Sequence, residues 1–403
     1  MKILNISPFY TVPPDNGGKT RIYKINEYLS HTKKYEIFQF SCNMYKYLGK
    51  LRLNSWSTKV NERYVEYCYS PTAFLIASYI LNKLNRMPLA YLDRLLNIFG
   101  PSFIQKNFDE SDLIQVEEPW QFAWVTKKNK KNKKIIADSQ NVEYVLAKQY
   151  YEKFAVQNCK RFLDNIFQIE KNYAINSDML FCASDEDKKD FIRLYDVNKD
   201  KIRIVPNGVD TKEFYPISKE KREKIKEKMG FKNKFIIFFV GGVHLPNLEA
   251  LQFIKKLSKY VNDRDVLFLI AGAIGNNEKN TENVTYTGGG PHSEMIKYFH
   301  ASDIALNPVF SGSGTNVKLL QYLASGIPTI TTKFGTRGLK LNNKKGLIIE
   351  NTIQGFKDSI EKLINSQNYR NKLINRGPSL IKGRYDFFSI IKNVEKYYAE
   401  VLE

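Results

Sequence analysis

Two doubly wound α/β domains are what this sequence predicts, and three observations carry that expectation. Short apolar runs of strand length recur with helical stretches between them, the alternation that builds a parallel sheet covered on both faces. The alternation is written twice, once before about residue 195 and once after it. The 403 residues suffice for two to three domains, and a hydrophobic fraction of 43% is ordinary for packed globular cores, which excludes low-complexity disorder and collagen-like repeats.

In chain order, Lys2–Ile6 reads as the opening strand. It runs into the Pro- and Gly-rich loop SPFYTVPPDNGGKT and then into the helical pattern Arg21–Leu29. Further strands are expected at Tyr35–Phe40, Leu113–Val116, Lys134–Ala137 and Met179–Cys182. Between them, residues 70–100 carry Leu, Ile, Tyr and Phe at three- and four-residue steps among Lys83, Arg86 and Arg94. That stretch is amphipathic and basic, and it reads either as a core-packing helix pair or as a surface lying on anionic lipid. The run KKNKKNKK, Lys127–Lys134, reads as a solvated turn before a strand.

The second set of strands is expected at Ile202–Val205, Phe235–Val240, Val266–Ala271, Val284–Tyr286, Ile304–Leu306, Pro328–Thr331 and Gly346–Ile349. Residues 218–234 mix both charge signs densely, as an exposed helix ending at Gly230 does. No long flexible linker separates the sets, so the domains are expected to span 1–195 and 196–382, with an amphipathic helix over 383–403. Its aromatics, Tyr385, Phe387, Phe388, Tyr397 and Tyr398, read as packing residues.

Lys and Arg number 62 against 42 Asp and Glu, a net charge of +20, and residues 1–100 alone hold 14 basic against 6 acidic side chains. Such a surface attracts phosphates or anionic headgroups. Nucleic acid is not an expected partner, because no zinc finger, helix-turn-helix or RNA-binding signature accompanies the charge. Cys42, Cys68, Cys159 and Cys182 stand far apart, without the spacing of a zinc site or a dense disulfide framework, which fits a reducing cytoplasm. MKILNISPFY lacks the succession of a secretion signal, and no apolar run reaches the roughly 18 residues of a membrane span. The expected location is cytoplasmic, including the inner face of the cell membrane.

In open parallel sheets, ligands sit beyond the carboxyl ends of strands, where helix N-termini present unpaired N–H groups. Two Gly-rich turns occupy such places. FIIFFV is followed by Gly241 and Gly242 and by a helix with Pro246 in its first turn. Ile304–Leu306 leads into NPVFSGSGTN and the helix Val317–Ala324. Gly312, Ser313, Gly314, Thr315 and Asn316 can bring amides close to a diphosphate, and Lys318 adds a cation; the plainer alternative is an ordinary connection with Asn316 as a helix cap. Neither turn has Walker or dinucleotide spacing. His244 either reaches this ligand or is a loop surface residue. The acids of Asp185–Asp187 and Asp263–Asp265 read as a helix cap and a turn, and no metal is expected.

On these segments the sequence resembles the retaining glycosyltransferases of the GT-B fold, which transfer sugars from nucleotide donors. The likeness is carried by VPNGVDTKEFYP, FFVGGVHLPNLEALQFI, LIAGAIG, VTYTGGGPHSEMIKYFHASDIALNP, which contains Gly288, and SGSGTNVKLLQYLASGIPTITT, in the family's order. In the first half, PPDNGGKTRIYKI, with Gly17, Gly18 and Lys19, resembles the acceptor-side loop. DLIQVEEPW resembles a cleft strand, and IIADSQNVEY the segment that usually contains His-Asn. The resemblance spans most of the chain apart from roughly residues 45–110, where acceptor specificity would lie. It implies two Rossmann-like domains facing across a cleft, the first binding acceptor and the second binding the nucleotide sugar, with the last helix packing back on the first.

The sequence also departs from the family. Its two donor-site glutamates are Ser313 and Gln321 here, its His-Asn histidine is Gln140, and the cleft strand has Glu117 where many members carry His. The usual basic pair after Gly242 is not evident, which leaves Lys318, and after it Lys19 or Arg21, to grip the donor phosphates. The resemblance therefore implies Lys318, Glu117 and Gln140 as catalytic residues. Gly241, Gly242, His244, Gly288, Gly312–Asn316 and Gln321 would bind the donor. The implied reaction is metal-independent retaining transfer, with a nucleotide diphosphate sugar as co-substrate, no cofactor, and a lipid-linked or cell-surface glycan as acceptor. Ser313, Gln321 and Gln140 equally suit a catalytically weak protein of this fold that binds a glycan or a partner. A sugar-nucleotide epimerase is disfavoured for want of acid and base residues.

Overall fold

KILNIS forms the strand β1 (Lys2–Ser7), buried along all but its first residue, in a computed structural model that describes residues 1–43, 54–84, 87–153, 159–261, 263–312, 314–341 and 346–403. Ser313 and Arg86, singled out above, lie outside the described residues. β1 pairs in parallel with β2 (Glu36–Cys42), and a hairpin of β3 (Trp56–Asn61) and β4 (Tyr64–Tyr69) extends that edge, β3 antiparallel to β4. On the other side of β1 follow β5 (Leu113–Glu117), β6 (Lys134–Ser139), β7 (Met179–Cys182) and β8 (Ile202–Ile204), all parallel. The order is β3-β4-β2-β1-β5-β6-β7-β8.

The second sheet is wholly parallel, in the order β11-β10-β9-β12-β13-β14. Its strands are β9 (Phe235–Val240), β10 (Val266–Ala271), β11 (Val284–Gly288), β12 (Ile304–Asn307), β13 (Thr329–Thr331) and β14 (Ile348–Ile349). β9 explains why such strands read as unbroken apolar runs. Ile236 and Phe238 pack on Leu319, Leu320 and Leu323 of one covering helix, while Ile237 and Phe239 pack on Leu251, Ile254 and Leu257 of another.

Two compact units result, Met1–Pro206 together with Ile390–Glu403, and Asn207–Ser389. Ile202–Ile204 was expected to open the second set. It is instead the edge strand of the first sheet, so the first unit runs on past residue 195 to Pro206. The last helix, Phe387–Leu402, ends in the first unit: Tyr398 donates to Gln115 and stacks on Phe181, and Arg203 pairs with Glu400. Residues 70–100 fold as the helices Thr72–Lys83 and Leu92–Phe99 joined through a turn at Pro88–Tyr91. Among the described residues no helix is long and apolar enough to cross a membrane. The four cysteines are free.

Candidate functional site

At the carboxyl ends of the second sheet, three glycine turns interlock. Gly241 follows β9 and donates its N–H to the Ala271 carbonyl, Gly272 follows β10 and donates to Gly288, and the Ile274 N–H returns to the Gly241 carbonyl. Gly272 sits at φ +93°, where a Cβ would come within 2.4 Å of the Gly241 carbonyl oxygen, so only glycine permits this approach. The Gly241 amide is therefore engaged in the fold. Gly242 forms the turn itself, its carbonyl accepting from the His244 N–H and from the Asn247 side chain at 2.9 Å. His244 is exposed at the N-cap of the helix Leu245–Ser258, with its ring edge about 3.5 Å from where a Gly242 Cβ would stand.

The second Gly-rich loop follows β12 and is braced at four of its described residues, Ser311, Gly312, Thr315 and Asn316. Ser311 bonds to the carboxylate of Glu249, and the Arg337 guanidinium donates to the Gly312 carbonyl at 3.3 Å. Gly312 and Gly314 both have positive φ. Thr315 accepts from Asn207 at 2.6 Å, and Asn316 donates to Asn307 at 2.9 Å. Asn316 occupies the N-cap of the helix Val317–Ala324, but its side chain serves this brace and does not cap the helix. Tyr322 pins the same helix under β9 by accepting from the Val240 N–H at 3.0 Å.

Lys318, in the first turn of that helix, is half-buried. Its amine lies 4.4 Å from the centre of the Phe239 ring and donates to Asn247 Oδ1 at 2.6 Å. Burial pushes its pKa down to about 7. Asn247 thus joins Lys318 to the Gly242 carbonyl. Gln321 lies one turn on, on the same face as Lys318, and is partly buried.

In the first unit, Gly17, Gly18 and Lys19 open the helix Gly17–His31, whose Lys19 N–H is capped by Asn16 at 3.0 Å. The Gln140 side chain lies against Gly18, its oxygen 2.6 Å from where a Cβ would stand. The Lys19 amine is engaged by Asp15 at 3.0 Å and by the face of Tyr10 at 3.9 Å. Arg21 is buried, bonded to Asp138 at 2.7 Å and to the carbonyls of Val205 and Pro206. Neither residue stands free as a phosphate cation.

Glu117 is 1% exposed, held by Asn5 at 2.7 Å and Gln115 at 2.8 Å. Burial first, and then the charge of Asp138, pushes its carboxyl up to about 8. It belongs to the interior network beneath the strand ends. The neighbouring Glu118 has φ +62°, and burial together with Glu143, Glu117 and Glu170 raises it well above the usual carboxylate range. Glu66, buried in β4, clamps the loop before Gly17: it accepts from the N–H groups of Thr11 at 2.7 Å and Val12 at 3.0 Å, from Gln39 at 2.7 Å and from Ser41 at 2.6 Å.

Residues 234–366 match the family described as "Glycosyl transferases group 1", and residues 65–213 match "Glycosyltransferase Family 4". The chain is a group 1 glycosyltransferase of the GT-B fold. An uncharacterized glycosyltransferase of Methanocaldococcus jannaschii is 23% identical to it, over 99% of this chain and 98% of that protein. The UDP-Gal:alpha-D-GlcNAc-diphosphoundecaprenol alpha-1,3-galactosyltransferase of Escherichia coli is 28% identical over 54% of this chain and 58% of its own. In fold, HepE of Anabaena, solved in complex with UDP, superposes with a TM-score of 0.68 over 99% of this chain and all of that one, at 12% identity.

Within this glycosyltransferase both Gly-rich loops and Lys318 lie at the carboxyl ends of the second sheet, where the sequence places them, but the sequence does not reveal what braces them. Asn207, Asn247, Glu249, Asn307 and Arg337 were all overlooked as site residues, although Asn207 lies in the VPNGVD segment that carried the resemblance. Among the described residues, no group of three or more His, Cys, Asp or Glu is placed to hold a metal ion. The acids read as a helix cap and a turn are engaged locally: Asp187 accepts from the Ser184 hydroxyl at its helix start, and Asp263 accepts the Asp265 N–H in a turn.

Proposed function

We propose that this glycosyltransferase moves a sugar from a nucleotide diphosphate donor to a lipid-linked or cell-surface glycan, retaining the anomeric configuration and using no metal ion. The observation that carries the reading is the set of braced residues Ser311, Gly312, Thr315 and Asn316 leading into the helix of Lys318, at the carboxyl ends of a parallel sheet where anions are bound by helix N-termini. Lys318, with Arg337 against Gly312, supplies the positive charge for the departing phosphate. The bond from the anomeric carbon to the phosphate oxygen breaks, and the acceptor oxygen bonds to that carbon on the same face. The acceptor proton passes to the released phosphate oxygen, so no protein base is needed. Glu117 and Gln140 act by positioning: the first through Asn5 and Gln115, the second by packing on Gly18 of the acceptor-side loop.

Support for the donor class comes from HepE and its bound UDP, and support for the acceptor class from the Escherichia coli relative, whose name specifies a diphosphoundecaprenol substrate. Contact with an anionic membrane follows from such an acceptor. The test is transfer and hydrolysis with a panel of nucleotide sugars in the presence of a chelator, with the product anomer read by NMR. Retained configuration and undiminished turnover are expected; inversion, or dependence on added metal, refutes the respective part. If the donor binds and no turnover occurs with any member of the panel, the chain is instead a binding module, the alternative that Gln140 and Gln321 also suit.

A further inference from the structure

At the carboxyl end of β5 the backbone leaves the ordinary strand conformation. Glu118 takes φ +62° and ψ +161°, a region open almost only to glycine. Its N–H stays with the Asp138 carbonyl of β6, while its buried carboxyl group meets that of Glu143, also buried, at the start of the helix Glu143–Lys153. The two side chains are hydrogen-bonded to each other. Two carboxylates have no donor between them, so this bond exists only while the pair holds a proton. The second oxygen of Glu118, Oε2, is buried without a partner. Each element packed around the pair favours that proton. β5 contributes Glu117, β6 contributes Asp138, and the helix Lys160–Asn176 contributes Glu170, which accepts the N–H groups of Glu143 at 2.7 Å and Tyr144 at 2.9 Å. Tyr195, from the helix Asp185–Tyr195, donates to Glu170, and Tyr173 donates to the Val116 carbonyl. The guanidinium of Arg21 is directed at Asp138 and the carbonyls of Val205 and Pro206. Burial and the neighbouring acids therefore hold both carboxyls above the usual carboxylate range.

The pair is tied to the loop Ser139–Val142, which leaves β6 and enters the helix at Glu143. The Asn141 side chain donates to Glu143 at 3.4 Å, the Ser139 hydroxyl donates to the Asn141 carbonyl at 2.5 Å, and Gln140 between them donates to the Gly18 carbonyl at 3.4 Å. We propose that Glu118 and Glu143 are positioning residues that share one proton and thereby hold Gln140, and through it Gly18, in the arrangement that acceptor binding requires. Its consequence for the acceptor rests on the reading of Gly17–Lys19 as the acceptor-side loop, whereas the proton-sharing pair does not. Once the proton leaves, two buried carboxylates face each other with no donor between them. β5 and β6 are fixed by their ladder, so the helix start and the loop before it are what moves.

The first measurements need no substrate. Infrared difference spectra of the full chain at neutral pH, wild type minus Glu118→Gln, should show the carbonyl stretch of a protonated carboxylic acid, lost on the alkaline side. Hydrogen exchange of the amides of residues 140–146, corrected for its intrinsic pH dependence, should rise in the wild type as that band disappears. It should stay flat in Glu118→Gln, whose amide replaces the shared proton as donor. Kinetics use a synthetic lipid-diphosphate monosaccharide as acceptor, with the nucleotide sugar that turns over held saturating, which removes the effect of Lys318 on donor affinity. The wild-type acceptor KM should climb up to about tenfold per pH unit once the proton is lost, with kcat unchanged. Glu118→Gln should remove the climb, and Glu118→Ala should raise the acceptor KM about tenfold at neutral pH. If Glu118→Ala does not fold, Glu143→Gln, which supplies the donor from the other side, must give the same flat profile. No acid band, a Glu118→Gln profile that climbs like the wild type, or loosened amides with a constant acceptor KM would overturn the proposal. Absence of transfer with the infrared and exchange results intact would leave the pair and its hold on Gln140 standing and sink the acceptor reading instead.

Discussion

Replacing Lys318 with Met separates the amine from the volume it fills. In the free protein, burial holds the Lys318 pKa near 7, against the 10.5 of an ordinary lysine. At pH 8 a group with that value is about nine-tenths neutral. A bound diphosphate beside it favours the ammonium, so donor binding at pH 8 draws in about nine-tenths of a proton, and at pH 6, where the group is already charged, about a tenth. Donor affinity accordingly weakens up to about tenfold per pH unit above 7. Isothermal titration calorimetry with UDP in buffers of different ionisation enthalpy measures the uptake directly. Lys318→Met should abolish the uptake and flatten the affinity profile.

The same shift fixes the sign of a stability effect. Between pH 7 and 10.5 the unfolded chain holds the proton that the folded chain has released, so the wild type gains stability as pH rises through that window and carries the full penalty below it. The penalty is at most about 5 kcal/mol. The Asn247 oxygen, the Phe239 ring and the partly exposed side chain reduce it to about 2–4 kcal/mol. Lys318→Met should therefore melt above the wild type at pH 7, with the difference closing towards pH 10. Zero proton uptake by the wild type at pH 8, or the same uptake by the variant, would refute the reasoning.

Asn247→Leu removes the link between Lys318 and Gly242 and should lower kcat/KM for the donor by about 10- to 100-fold, seen in steady-state kinetics with the acceptor KM unchanged. Gly272→Ala forces a Cβ against the Gly241 carbonyl at a glycine-only φ; an expected loss of about 1–3 kcal/mol in denaturant unfolding should come with weaker UDP binding. Glu66→Gln points an amide group at the Thr11 and Val12 N–H donors; destabilisation of about 2–3 kcal/mol and a raised acceptor KM are expected, with the donor KM unaffected. Glu117 keeps its proton in the fold to about pH 8 but releases it near 4.5 when unfolded, so its contribution is complete below 4.5 and declines as pH rises to 8. Glu117→Gln should flatten that decline in melting temperature measured across pH 4–8.

The sheets were legible because buried parallel strands advertise themselves as unbroken apolar runs: Met179–Cys182, Phe235–Val240 and Val266–Ala271 lie where the sequence places them. The hairpin β3–β4 was not, since WSTKVNERYVEYCY has neither a glycine turn nor a continuous apolar run. Ile202–Ile204 reads as a strand, but three residues cannot say which sheet accepts them. In the site, Gly242, Gly312 and Gly314 were readable because turn chemistry is local. Asn207, Asn247 and Glu249 were not, because each reaches its partner from 62 to 108 positions away, a juxtaposition that only tertiary folding creates. The lysine run reads correctly as a solvated turn, exposed at Lys127, Lys130 and Lys131 ahead of β6, but its contacts with Asn97, Gln105 and Asp109 become visible only once the helices are packed.

The return of Ile390–Glu403 to the first unit has a consequence for how the molecule comes into being. The ribosome completes β1 to β8 early, yet Gln115 and Phe181 must wait for Tyr398 until all of Asn207–Ser389 has been translated. The nascent first unit is thus an open vessel whose stopper is made last. A release or stall anywhere within the intervening segment leaves a finished sheet with its flank bare, a substrate for chaperones and proteases rather than for catalysis.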